Sequence, residues 1–186
     1  MAKLQTASGR QRFRKLVAAF LKDTTGANAV EFAIIAAPFL ALSVGIIQIF
    51  LVFFGQQLLE QVVIQSGRQI MTGQVQLAGM SQTQFANLVC AQVRIIFNCN
   101  NLMISVQTYP DWASASTASP TLTFDSHGNV TNGWPFNPGT AGSKVVLEVM
   151  YQWPVFSGPL GFTLANLPNG NRLLMASAAF QNEPYQ

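Results

Sequence analysis

The run FAIIAAPFLALSVGIIQIFLVFF, residues 32–54, holds no charged side chain and only two polar ones, Ser43 and Gln48. At about 1.5 Å of rise per residue, a helix over it reaches roughly 30 Å or more, the thickness of a bilayer core. The competing reading is a core helix of a soluble protein, but such a helix is shorter and keeps a polar face. The run therefore predicts one membrane-spanning helix. Pro38 and Gly45 interrupt it. Proline removes a backbone hydrogen bond and kinks a helix, yet both residues are tolerated in spans where neighbours compensate, and small residues permit close helix packing.

The flanks orient the span. Lys3, Arg10, Arg12, Arg14, Lys15 and Lys22 precede it, and the first cation after it is Arg68. Positive-inside bias places the N-terminus in the cytoplasm and the remainder outside it. A cleavable secretory signal also has a basic start and an apolar centre, but that centre runs only about 7–15 residues. This one ends in FFGQQLLE, which offers no small-residue cleavage site. Only 9% of the 186 residues are charged, against about 25% in soluble domains. The basic start is interleaved by Phe13 and Phe20 alone and no nucleic-acid-binding motif follows, so no nucleic-acid partner is expected.

Beyond the span, residues 55–74 keep Leu58, Leu59, Val62, Val63 and Ile70 at helical spacing, with Glu60, Gln61, Gln65 and Arg68 as polar members. This predicts an amphipathic continuation, weakened at Gly67 and ended around Gly73, for a helix of order 60–70 Å in all. The sequence Ser81-Gln82-Thr83-Gln84 is a capping-box pattern opening a second helix through Phe85, Leu88, Val89 and Val93. Strands are predicted at residues 101–109, 121–125, 144–153 and 172–181, the third alternating through Val145, Leu147, Val149 and Tyr151. The last strand is expected to return to a central position in the sheet. The fold class is α+β: a long N-terminal transmembrane helix running into a small extracytoplasmic domain with a short helix and an antiparallel sheet.

Cys90 and Cys99 are the only cysteines, on the predicted oxidising side of the membrane. A disulfide between the second helix and the next strand is the favoured reading. Metal binding is the rival, but there is no Cys-x-x-Cys spacing and the single histidine, His127, is remote.

Glu31, five residues past Gly26 at the mouth of the apolar run, admits two readings. It could complement the helix N-terminal dipole, which is worth about 0.3–1 kcal/mol. It could instead mark function, because a carboxylate in a span is costly and normally paired. Taken with the basic leader, the pattern Gly26-Ala-Asn-Ala-Val-Glu31 followed by a span resembles a type IV prepilin-like signal. More narrowly, GANAVEFAIIAAPFLALSVGIIQIF is similar to the start of TadE-like proteins, minor pilins or pseudopilins of the tight-adherence (Flp pilus) system. The ending FQNEPY, residues 180–185, and the cysteine pair ahead of the strands are similar to that family as well. The resemblance implies that a membrane prepilin peptidase cuts between Gly26 and Ala27. It also implies that Glu31 neutralises the N-terminal amine of a neighbouring subunit, so that both charges are buried as a pair. Two departures stand out: Gln48 where relatives often carry an acid, and Ala27 where major type IV pilins have Phe.

No catalytic chemistry is expected. Asp125 and His127 lie in DSHGNVT, a turn-like stretch with no nucleophile elbow or glycine-rich loop. The glycine and distal glutamate of an EF-hand are missing there, and Asn129-Val130-Thr131 is an acceptor only in a host that glycosylates. Trp112, Trp134 and Phe136 form a contact surface or, the favoured reading, cover a small core. The expected organisation is a basic cytoplasmic leader (residues 1–26), a transmembrane helix with amphipathic extension (27–74) and an extracytoplasmic α+β domain (75–186). The expected protein is a single-pass bacterial inner-membrane protein with a periplasmic domain, no enzyme, and no metal or cofactor. Its partners are the membrane, other pilin or pseudopilin subunits, the prepilin peptidase and the pilus assembly machinery. The alternative is an uncleaved single-span scaffold of the secretion machinery.

Overall fold

The structure is a computed structural model that describes residues 13–15, 17–19, 26–156, 158 and 161–185. Of the expected leader, Lys3, Arg10, Arg12, Lys22 and Asp23 lie outside the described residues. The chain divides into two compact units, Met1–Gly45 and Ile46–Gln186.

In the first unit the dominant element is the start of helix α1 (Ala27–Met71). Its residues present their side chains outward with no polar face: Val30, Phe32, Ile34, Ile35, Phe39, Leu40, Leu42 and Val44 are all exposed. Ser43 donates its hydroxyl to the Phe39 carbonyl at 2.8 Å, so even this polar group is satisfied within the helix. Helix α1 is long and apolar enough to cross a membrane, by length and composition. Pro38 sits inside it without ending it.

The second unit is built on a three-stranded antiparallel sheet, β1 (Leu102–Tyr109), β2 (Lys144–Trp153) and β3 (Arg172–Gln181), in the order β1-β2-β3. The expectation that the last strand pairs centrally is overturned: β2 is central and β3 is an edge. The burial explains this. Every residue from Val145 to Tyr151 is buried, as a strand covered on both faces requires, whereas Ser177, Ala179 and Gln181 of β3 are exposed. Pairing runs through Val106↔Leu147, Ile104↔Val149, Leu147↔Ala178 and Val149↔Ala176, which puts these side chains on one face.

That face carries the core. Leu59, Val62, Val63 and Ile70 of α1 are buried in one cluster with Ile104, Val106, Val145, Leu147, Val149 and Ala176. Gly67 is not the weak point its composition suggests. A Cβ there would stand 3.1 Å from the Phe180 ring, and one at Gly55 would stand 3.1 Å from Leu174 and Trp153. Both glycines let the strand side chains lie close against the helix. Helix α2 (Gln74–Leu77) is a single turn after Gly73, whose φ of 77° is left-handed. Helix α3 (Gln82–Val93) opens with the expected capping box, Ser81 accepting from the Gln84 amide and the Gln84 side chain accepting from the Ser81 amide. Phe85, Val89 and Val93 enter the core from it.

The strand expected at residues 121–125 does not join the sheet. Phe124 makes one isolated bridge with Val130, and the Thr123 amide is taken by the Asn132 side chain at 2.7 Å. Side-chain acceptors so close in sequence divert the backbone from a ladder. Of the three loop aromatics, Phe136 does cover the core, 5.5 Å from Phe85 between ring centroids. Its segment also closes the free edge of β1, with the Val106 amide donating to the Pro135 carbonyl at 2.9 Å and the Asn137 amide to the Val106 carbonyl at 2.8 Å. Trp134 is half-buried, and Trp112 remains 46% exposed.

Candidate functional site: the head of the helix and its seat

Gly26 stands directly before α1, and its carbonyl accepts the Val30 amide at 3.1 Å, the bond that starts the helix. Nothing lies within 4 Å of a Cβ built on Gly26, so contacts among the described residues give no packing reason for a glycine. Ala27 is the first helical residue. Glu31 is exposed one turn further on. At a spacing of four, Ala27 and Glu31 share one face of the helix. A positive group at Ala27 would stand within reach of that carboxylate, whether it came from the same chain or from another helix alongside.

Residues 27–47 are exposed or half-exposed throughout. At the helical rise they span about 30 Å, the apolar thickness of a bilayer. The first buried side chain is Gln48, whose Nε2 donates to the Phe156 carbonyl at 2.9 Å. Here a neutral amide, in place of the acid noted above, finds a backbone acceptor inside its own unit. It leaves no charge in an apolar setting. The sequence shows Gln48 as a lone polar residue, and only the fold supplies its partner, 108 positions away.

The far end of α1 is held by the C-terminal segment. The Glu183 amide donates to the Met71 carbonyl at 2.8 Å, satisfying one of the helix's last acceptors. Asn182 exchanges backbone bonds with the loop before β2, its amide to the Ser143 carbonyl at 2.9 Å and its own carbonyl taking the Gly142 amide at 3.0 Å. Its buried side chain donates to the carbonyls of Pro138 and Thr140. The Tyr185 ring occupies the space where a Gly73 side chain would stand. The FQNEPY ending is thus a clamp on the helix C-terminus, a role that its composition does not disclose.

Cys90 on α3 and Cys99 at the start of the 3-10 turn Cys99–Asn101 form a disulfide, with Cα atoms 5.6 Å apart. It fixes the end of α3 to the turn that leads into β1.

Asp125 and His127 are adjacent without forming a relay. The carboxylate accepts from the backbone amides of His127 and Asn129, each at 2.8 Å, and from the Asn129 side chain at 3.0 Å, while the imidazole Nδ1 faces the Ser126 hydroxyl at 3.3 Å. These turn donors hold the Asp125 carboxyl below its ordinary value, the Asn129 side chain most strongly. An aspartate bound to the backbone of a histidine cannot orient its ring, so a hydrolytic triad does not assemble here. Among the described residues no group of three or more His, Cys, Asp or Glu side chains is placed to hold a metal ion.

Residues 26–74 match the family model described as TadE-like protein. No curated protein and no solved structure matches the chain. The matched segment begins at Gly26, runs through the whole of α1 and ends one residue after the left-handed Gly73.

Proposed function

We propose, from the premise that residues 26–74 are a TadE-like segment, that this chain is a membrane-anchored minor pilin or pseudopilin of a Tad (Flp-type) pilus system. It acts in assembly through helix packing rather than by catalysis. The observation that carries the reading is the coincidence of three features in that segment. Gly26 precedes the helix, Glu31 shares the face of Ala27, and residues 27–47 offer an apolar surface of bilayer length. In this reading the leader is cytoplasmic, the helix spans the inner membrane and residues 75–186 are periplasmic. A prepilin peptidase cuts after Gly26. The new amine at Ala27 then meets Glu31 of a neighbouring subunit as the helices pack, since two opposite charges cost less in an apolar stack when paired.

The N-terminal sequence of the protein purified from membranes tests this. Material beginning at Ala27 is expected, and the variant Gly26→Val is expected to retain the leader and leave the assembly. Wild-type protein that begins near Met1 at every stage of growth overturns processing and leaves the single-span scaffold as the reading to pursue.

A further inference from the structure

A cleft of about 520 Å³ opens at one end of the sheet in the second unit. Six asparagines line it: Asn98, Asn100, Asn101, Asn129, Asn169 and Asn171. Among the described residues no lysine, arginine, aspartate or glutamate lines it, and its one histidine, His127, has its Nδ1 3.3 Å from the Ser126 hydroxyl. The nearest carboxylate in sequence, Asp125, is turned to the backbone of its own turn.

The asparagines divide into two sets. Three build the walls. Asn169 donates to the Gln152 Oε1 at 2.6 Å and to the Gly128 carbonyl at 3.0 Å, and accepts from the Asn171 amide at 3.2 Å. Asn98 accepts from the Asn100 amide at 3.1 Å, and Asn129 binds Asp125. The side chains of Asn100, Asn101 and Asn171 have no hydrogen-bond partner among the described residues. On the floor, the buried Tyr151 hydroxyl accepts the Asn98 amide at 3.3 Å, which leaves its proton free to donate. Met103, Val130 and Pro154 add an apolar strip beside these groups.

A carboxamide presents a donor and an acceptor side by side. Several of them around an apolar strip, with no charge, complement a molecule that alternates hydroxyl pairs with C–H faces. Phosphate or carboxylate ligands would find no lysine or arginine here, and ammonium ligands no carboxylate. We propose that this cleft is a binding site for a neutral saccharide, one or two rings in size, recognised by Asn100, Asn101, Asn171 and the Tyr151 hydroxyl. Sites that hydrogen-bond hydroxyls in this way discriminate strongly against analogues that leave their polar groups unpaired.

Saturation-transfer NMR on the full-length chain tests the assignment, in an amine-oxide detergent so that no sugar headgroup competes. The probes are the methyl glycosides of glucose, galactose, mannose and N-acetylglucosamine, with glucuronate and glucosamine as charged comparators. At least one neutral glycoside is expected to bind saturably and at least fivefold more tightly than its charged counterpart. Loss of one hydrogen-bonding amide in Asn171→Ala or Asn100→Ala is expected to weaken it about fivefold. Should Asn171→Ala fail to give a cooperative melt, Asn100→Ala decides, because its exposed side chain supports no other group. Absence of saturable binding by any neutral glycoside overturns the proposal. So does equal affinity for the charged comparators, or binding unchanged in the folded variants.

Discussion

At the scale of single residues, Glu148 is the group whose setting is least like its free state. It lies on the sheet face opposite the helix, flanked across the strands by Ser105 and Ser177, and is 7% exposed. Burial pushes its carboxyl above the ordinary value, and the Ser105 hydroxyl draws it partly back. A carboxyl raised in the folded state favours folding most when protonated. Its contribution is complete below its ordinary value and is lost as the pH rises through the raised one. Asp111 and Asp125 have the opposite sign: the Ser114 and Asn129 donors lower them, so their contribution is lost as the pH falls. The variant Glu148→Gln isolates the first effect. We expect its melting temperature to exceed that of the wild type by roughly 2–4 °C at about pH 7, with the difference closing near pH 4. A constant difference across that range would mean that packing, not ionisation, separates the two.

The glycine, the acid and their spacing at residues 26–31 were legible from the chain alone, because they concern consecutive residues on one helix turn. Glu148 was not. Its burial depends on what covers the second sheet face, and strand alternation taken by itself would turn it to solvent.

Among the elements, the seat of α1 against the sheet rests on small residues at the close approaches. At Gly67 a leucine would need space already held by Phe180 and Leu147. We expect Gly67→Leu to destabilise the second unit by about 1–3 kcal/mol in denaturant unfolding. Gly45→Ala, with nothing within 4 Å of the added methyl, should leave that unit's stability unchanged. Helix propensity favours both replacements, so a loss confined to Gly67→Leu is the mark of crowding, and an equal loss in both variants would refute the packing account.

Helices α1 and α3 and the strands at residues 144–153 and 172–181 could be read from periodicity and capping, whereas the single turn α2 could not. Strand order could not, although a signal existed. The unbroken apolar character of Val145, Val146 and Leu147 marks a strand covered on both faces, and the Ser177-Ala178-Ala179 stretch marks a half-exposed one. The run at residues 121–125 misled because threonine alternation imitates a strand, while Asn132 and Asp125 spend its hydrogen bonds locally.

For the whole molecule, the disulfide and the C-terminal segment supply restraints that a small core needs. Cys90 and Cys99 close a loop with a sequence separation of 9. For so short a loop the chain-entropy contribution is about 2–3 kcal/mol. We expect Cys90→Ser to lower unfolding stability by that order, measured against wild type under oxidising conditions. Under strong reductant the two proteins should converge. Persistence of the gap there would assign the loss to packing of α3 instead.

The tail that caps α1 has a consequence in time. Residues 46–71 leave the ribosome early, but Leu174, Ala176, Phe180 and the Glu183 amide that cover and terminate them come more than a hundred residues later. Until then Leu59, Val62, Val63 and Ile70 have no β3 to bury them. A growing chain must therefore keep this stripe shielded by some other means through most of its synthesis.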